Sequence, residues 1–204
     1  MPARLETPVA TLAEPIHAWR TWTLVGSRDG SQVRLAPIAG DGRPWPPRRP
    51  AQASCTRDRS HVRPELECTC GLHAVESPDE LRRTRDPAVL GTVALWGRIV
   101  EHEHGYRAAL AYPQRLRLLC YLCFTLWGRN GPGDCEVVVR HRGGRMVPLC
   151  GPHLELSRRY GYRVPRILSA RAIESELLAT YAVDPLRELV RANGGTAESI
   201  SARR

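Results

Sequence analysis

With 42% hydrophobic and 25% charged residues, this chain of 204 residues has the balance of a globular protein, and its 30 basic and 21 acidic residues leave a net charge of +9. Every basic residue is arginine, which excludes a Schiff-base lysine and a phosphate-loop lysine. No apolar run reaches the roughly 18 residues of a membrane-spanning helix, and Met1-Pro2-Ala3-Arg4-Leu5-Glu6 lacks the apolar run of a secretory signal.

Residues 1–15 mix Pro, Ala, Glu and Thr without periodicity and read as a flexible lead-in. Trp19–Val25 alternates like a strand, Arg28-Asp29-Gly30-Ser31 reads as a turn, and Gln32–Leu35 as the partner strand. The proline-rich run Gly40–Pro50, which contains Trp45, cannot be helical. Ser77-Pro78-Asp79-Glu80 combines an N-cap, a first-turn proline and early acids, predicting a short helix through about Arg85. Val93–Val100 and Tyr106–Tyr112 form a hairpin around the polar tip Glu101–Gly105. Val93, Leu95, Gly97 and Ile99 share one face, and Tyr106, Ala108, Leu110 and Tyr112 line a face of the return strand.

Two more strands, Cys135–Arg140 and Arg145–Leu149, precede a helix over Pro152–Tyr160 that ends near Gly161. A second helix over Ser169–Tyr181 carries Ile173, Leu177, Leu178 and Tyr181 on one stripe. Asp184-Pro185 is expected to cap a last helix ending at Gly194-Gly195. The expected fold class is α+β: small antiparallel hairpins with a zinc-bound loop, then a zinc module and C-terminal helices. Its divisions are a β-rich domain at 16–114, a basic zinc module at 115–166, helices over 167–195 and a disordered tail at 196–204.

The seven cysteines and seven histidines are clustered. Cys120-Tyr121-Leu122-Cys123 is followed, after a hairpin, by Cys150-Gly151-Pro152-His153 at a helix start, the spacing of a closed tetrahedral zinc site. Four protein ligands leave no open position, so such an ion is structural. This part resembles the treble-clef arrangement over about residues 118–161. An upstream cluster holds Cys55, His61, Cys68, Cys70 and His73. Gly71 lets the backbone turn so that Cys68 and Cys70 reach one ion, and Cys55 and His61 complete a Cys₃His set. Two such sites use six cysteines and leave Cys135 as a spare core thiol or a replacement ligand; His73 is the alternative to His61. Two structural zinc ions are therefore expected, in a reducing cytoplasm.

The segments Cys68-Thr69-Cys70-Gly71-Leu72-His73-Ala74, Gly91–His102, Gly105-Tyr106-Arg107-Ala108 and Ala111-Tyr112-Pro113 together resemble a family of small uncharacterised actinobacterial proteins. The resemblance spans about residues 17–113. It implies a shared fold and no established activity. That pattern usually has Tyr where His73 stands, which disfavours His73 as a ligand.

Charge is concentrated around the second cluster. Residues 115–166 contain ten Arg and three acids (Asp134, Glu136, Glu155), a net of +7, whereas the remaining twenty Arg and eighteen acids leave only +2. A nucleic-acid surface is expected on Arg140, Arg142, Arg145, Arg158, Arg159, Arg163 and Arg166, with Trp127 available for stacking. The alternative is an adaptor that docks an acidic protein partner; no membrane partner is expected. A third reading makes Glu101-His102-Glu103-His104 an open metal or acid–base site. Gly-x-Ser-x-Gly, His-Glu-x-x-His and dinucleotide fingerprints are absent from the sequence, so a non-enzymatic protein is expected.

Overall fold

The computed structural model describes residues 10–27, 32–58, 60–125, 134–141, 143–161 and 166–187. In chain order the strands are β1 (Ala10–Gly26), β2 (Val33–Ala36), β3 (Ala51–Gln52), β4 (Leu72–Ala74), β5 (Val89–His102) and β6 (Gly105–Leu118). Then follow α1 (Tyr121–Thr125), β7 (Val137–Arg140), β8 (Arg145–Leu149), α2 (Gly151–Arg159), β9 (Ile167–Ser169), α3 (Ala170–Tyr181) and β10 (Asp184–Pro185). Among the described residues these strands make one curled, almost wholly antiparallel sheet with few helices, an α+β-like architecture. No helix among the described residues is long and apolar enough to cross a membrane.

The sheet owes its continuity to β1. Its residues Ala10–Trp22 pair with β5, and past Trp22 its partners change to β2 (Thr23↔Ala36, Gly26↔Val33) and β8 (Leu24↔Met146). The strand thus starts inside the expected lead-in, because the backbone of Ala10–Leu12 finds partners at Ile99–Gly97. A register shift between Leu12 and Ile16 hides this segment from a period-two reading. It also carries the sheet across the expected boundary at residue 114. Trp22 and Leu24 lie in one hydrophobic core with Leu95, Leu116, Val138, Met146, Ile173 and Leu177, so both halves share buried surface.

The β5–β6 hairpin is the longest pairing, from Val89↔Leu118 to His102↔Gly105. Its irregularity between Trp96 and Ile99 holds Gly97 at φ +77°, a backbone region that glycine enters without a Cβ clash. This bulge breaks the expected face of the return strand. Ala108 and Ala111 are fully buried, while Leu110 and Tyr112 are only partly so.

Ser77 caps the segment after β4 as expected, its Oγ accepting from the Asp79 N–H at 3.3 Å, but Pro78–Arg83 forms a 3-10 helix. α3 matches its predicted stripe: Ile173, Leu177 and Tyr181 are buried. Two carboxylates dock it on strand backbone, Glu176 accepting from the Val33 N–H at 2.9 Å and Glu174 from the Leu118 N–H at 3.0 Å. Ile167–Ser169, within the division expected to be helical, pairs with β7, while Ser169 also caps α3, its Oγ accepting from the Ala172 N–H at 3.4 Å; Asp184-Pro185, the expected cap of a last helix, lies parallel to Arg115-Leu116. The rest of that expected helix, the tail at 196–204 and the Arg28–Ser31 turn lie outside the described residues, apart from Leu186 and Arg187.

Trp45 anchors the proline-rich connector. It is 4% exposed and meets Trp22 edge-on at 5.3 Å. The buried Tyr181 hydroxyl donates to the Trp45 carbonyl at 2.9 Å and accepts from the Leu35 N–H at 3.0 Å. Tyr181→Phe strands both groups in the core, so chemical denaturation is expected to show a loss of about 2 kcal/mol.

Candidate metal centres

In the C-terminal centre each ligand pair opens a helical turn. Cys120 precedes α1, its carbonyl accepting from the Phe124 N–H at 3.0 Å, and Cys123 lies within that turn. Cys150 is the N-cap of α2, its carbonyl accepting from the Leu154 N–H at 3.0 Å, and His153 sits in the first turn. The β7–β8 hairpin joins the pairs, and Glu136 at its start accepts from the Gly151 N–H at 3.1 Å.

The four ligand atoms converge. His153 Nδ1 lies 3.4, 3.3 and 3.1 Å from the Sγ atoms of Cys120, Cys123 and Cys150, and Cys123 Sγ is 3.6 Å from Cys150 Sγ. A tetrahedral ion with Zn–S of about 2.3 Å and Zn–N of about 2.1 Å requires edges of about 3.8 Å for S···S and about 3.6 Å for S···N. A disulfide would need about 2.05 Å. All seven cysteines are free, and this centre is shaped for a cation. Cys120 and Cys150 are buried, and burial pushes the Cys150 thiol up to about 12. A divalent cation reverses that penalty by neutralising the thiolates.

The N-terminal centre is built on the loop between β3 and β4. Cys55, His61, Cys68 and Cys70 bring their ligand atoms within 4.8 Å of one another, with Cys55 Sγ 3.7 Å from Cys68 Sγ. His61 supplies an independent sign. Its Nδ1 is 3.2 Å from the Val62 carbonyl, which orients the ring, and its Nε2 is buried with no partner. Metal-ligating histidines commonly have one ring N–H on a carbonyl and the other nitrogen on the ion. The Asp58 N–H, 3.4 Å from Cys55 Sγ, is the largest cause that draws that thiol down to about 6, whereas burial raises Cys70.

Two arginines absent from the expected site hold this loop. Arg107, 8% exposed on β6, donates to the carbonyls of Glu65 (3.0 Å), Cys70 (3.2 Å), Leu66 (3.4 Å) and Cys68. Arg98 Nε donates to the Pro64 carbonyl at 2.8 Å, and its Nη2 lies 3.5 Å from Glu65. Gly71, at φ +128°, turns the chain from Cys70 into β4. A Cβ there would meet Arg107 Cβ at 3.0 Å and Pro64 Cβ at 3.1 Å. In the sequence, the only signal for Arg107 is a charge within a small apolar strand, which reads equally well as a solvent-facing position.

The alternative ligands fall outside both centres. His73 Nε2 lies 2.9 Å from the Thr69 carbonyl. Cys135 packs beside the C-terminal centre without joining it, and burial raises its thiol strongly. Cys135→Ala is therefore expected to leave zinc content, measured by elemental analysis, equal to that of the parent protein. At the hairpin tip, His102 Nδ1 accepts from the His104 N–H at 3.3 Å. Among the described residues, the tip does not assemble three ligand atoms.

The expected arginine surface is dispersed among intramolecular contacts. Arg140 is half-buried and donates to the Ser27 carbonyl at 2.6 Å, Arg145 pairs with Asp86 at 3.0 Å, and Arg158 with Glu155 at 2.7 Å. Arg159 and Arg166 are exposed, and Arg142, Arg163 and Trp127 lie outside the described residues. No protein family, no curated protein and no solved structure matches the chain.

Proposed function

We propose that this is a non-enzymatic cytoplasmic protein with two structural zinc ions, whose treble-clef-like C-terminal module contacts nucleic acid. The observation that carries the metal reading is the pair of Cys₃His sets: in each, the four ligand atoms lie within 4.8 Å of one another, and in the C-terminal set the separations of 3.1–3.6 Å are close to the edges of one tetrahedron. Cys55, His61, Cys68 and Cys70 would hold one ion, and Cys120, Cys123, Cys150 and His153 the other. Each ion would clamp a loop that has little core of its own. Shared ancestry with the actinobacterial proteins resembled by residues 17–113 belongs to the same proposal.

The nucleic-acid reading rests on the charge excess of residues 115–166 and on the exposed Arg159 and Arg166. The ion pairs at Arg145 and Arg158 are solvent-accessible and therefore weak, so a phosphate can displace the carboxylates. A mixed DNA and RNA pool is expected to bind at low salt. Arg159→Glu with Arg166→Glu should flatten the plot of log affinity against log salt by about one per arginine removed. Absence of binding at low salt overturns the reading.

An adaptor role is the second reading, favoured by the exposed apolar side chains Leu156 (40%), Tyr160 (72%) and Ile167 (41%), the last on edge strand β9. In that case a protein partner survives the double arginine variant and is lost with Tyr160→Ser.

A further inference from the structure

Arg20 sits on β1 between the buried Ala18 and Trp22, and its guanidinium packs along the protein rather than reaching freely into water. Its Cζ lies 5.2 Å from the Trp45 ring centroid and 6.0 Å from that of Trp22. One Nη donates to the His73 carbonyl. Nε is buried and has no acceptor, and neither does the indole Nε1 of the wholly buried Trp22.

Among the described residues, no carboxylate forms an ion pair with Arg20. Burial lowers Arg20 to about 10, and no acid opposes that shift. His73 is lowered first by burial and then by Arg20, Arg107 and His102, all basic. The rings of His73 and His102 are 6.4 Å apart. Cation–π contact offsets part of the cost of burying a guanidinium, yet an aromatic face accepts no in-plane N–H. A partly buried cation with one buried, unpartnered donor and basic neighbours is matched by an oxyanion.

We propose that Arg20 anchors a small oxyanion site, walled by Trp22 and Trp45, that takes a single phosphate-class group. The group has two possible sources, a free phosphate or phosphate monoester and the backbone of a nucleic acid. The site is independent of the arginines on the zinc module.

The test uses the zinc-loaded full chain exchanged into buffer without multivalent anions. Inorganic phosphate is titrated against sodium chloride at matched ionic strength, with tryptophan emission and thermal midpoint as readouts. Phosphate is expected to give a saturable emission change and a rise in midpoint that chloride does not. Arg20→Met keeps the aliphatic stem and should weaken the phosphate response at least about tenfold. The order of stabilities separates this role from a purely structural one. Without phosphate, Arg20→Met should melt no lower than the parent; with saturating phosphate it should melt lower.

Equal responses to phosphate and chloride overturn the proposal. So does an Arg20→Met variant that titrates like the parent, or one that melts lower in both buffers. Should Arg20→Met fail to fold, Arg20→Lys keeps the charge without the fork and must bind phosphate several-fold more weakly; parent-like binding again overturns the site. A short mixed-sequence oligonucleotide that displaces phosphate identifies the polymer as the source. One that leaves phosphate bound identifies a free phosphate or monoester.

Discussion

The parent protein is expected to purify with two zinc ions per chain and a Cys120→Ser variant with one, the variant losing about 4 kcal/mol of stability or more. Cys120 is fully buried and belongs to a small cluster with Val139, Leu149, Cys150 and Leu154. That cluster is too small to hold β7, β8 and α2 in register without the cross-link. Removing one thiolate leaves the buried Cys150, the partly buried Cys123 and a histidine facing a gap, so the remaining side chains gain little by staying together. Elemental analysis reads the stoichiometry, and chemical denaturation reads the stability. Because β1 pairs Leu24 with Met146, the damage should spread into the common core rather than stay local. Two zinc ions in the variant would mean that another side chain replaces Cys120, and Cys135 is the thiol placed to do so.

Arg107→Met should act on the other centre alone. The guanidinium holds four carbonyls of one loop, those of Glu65, Leu66, Cys68 and Cys70, and thereby holds the two cysteines near Cys55 and His61. Methionine fills similar space but satisfies none of these carbonyls. The expected cost is about 2–4 kcal/mol of stability and about 10–100-fold in zinc affinity at that centre, with the second ion unaffected. Competition with a graded chelator resolves the two ions. Arg107→Lys should restore little, since an ammonium has three donors and cannot fork across four acceptors. If both ions are released together in Arg107→Met, the centres are coupled and this assignment of Arg107 fails.

Local chemistry made much of this legible in advance. The central part of the β5–β6 hairpin (Val93–Val100 with Tyr106–Tyr112), helices α2 and α3 and the two clusters of three cysteines and a histidine each follow from signals within a short window: alternation, a 3.6-residue stripe, caps and Cys-x-x-Cys spacing. The capping serine at residue 77 was equally readable, although the turn after it is 3-10. What escaped depends on partners far along the chain. Ala10–Leu12 forms a strand because β5 offers it an edge; Ile167–Ser169 does so because β7 does. The bulge at Gly97 shifts Leu110 away from Ala108, and a strict period of two cannot anticipate it.

Charge was the least transferable reading. A net of +7 over residues 115–166 is a property of the sequence, but its direction is not. Arg140 turns to the Ser27 carbonyl, and Arg145 and Arg158 meet carboxylates. The same limit hid Arg107 and Arg20, because an arginine in a strand looks solvent-facing until the neighbouring loop is placed against it.

By itself, the sequence determined that two sets of three cysteines and one histidine exist, at spacings that let each set close on one ion. It also determined which segments alternate and which are helical, since both properties are local. Only the tertiary structure decided that His61 and not His73 lies beside Cys55, Cys68 and Cys70, that Cys135 stands apart from the second cluster, and that both clusters hang on one sheet joined through β1. Those outcomes turn on which backbone and which carbonyls come within about 3 Å of a side chain, and hydrogen bonding across long sequence separations is not written in residue order.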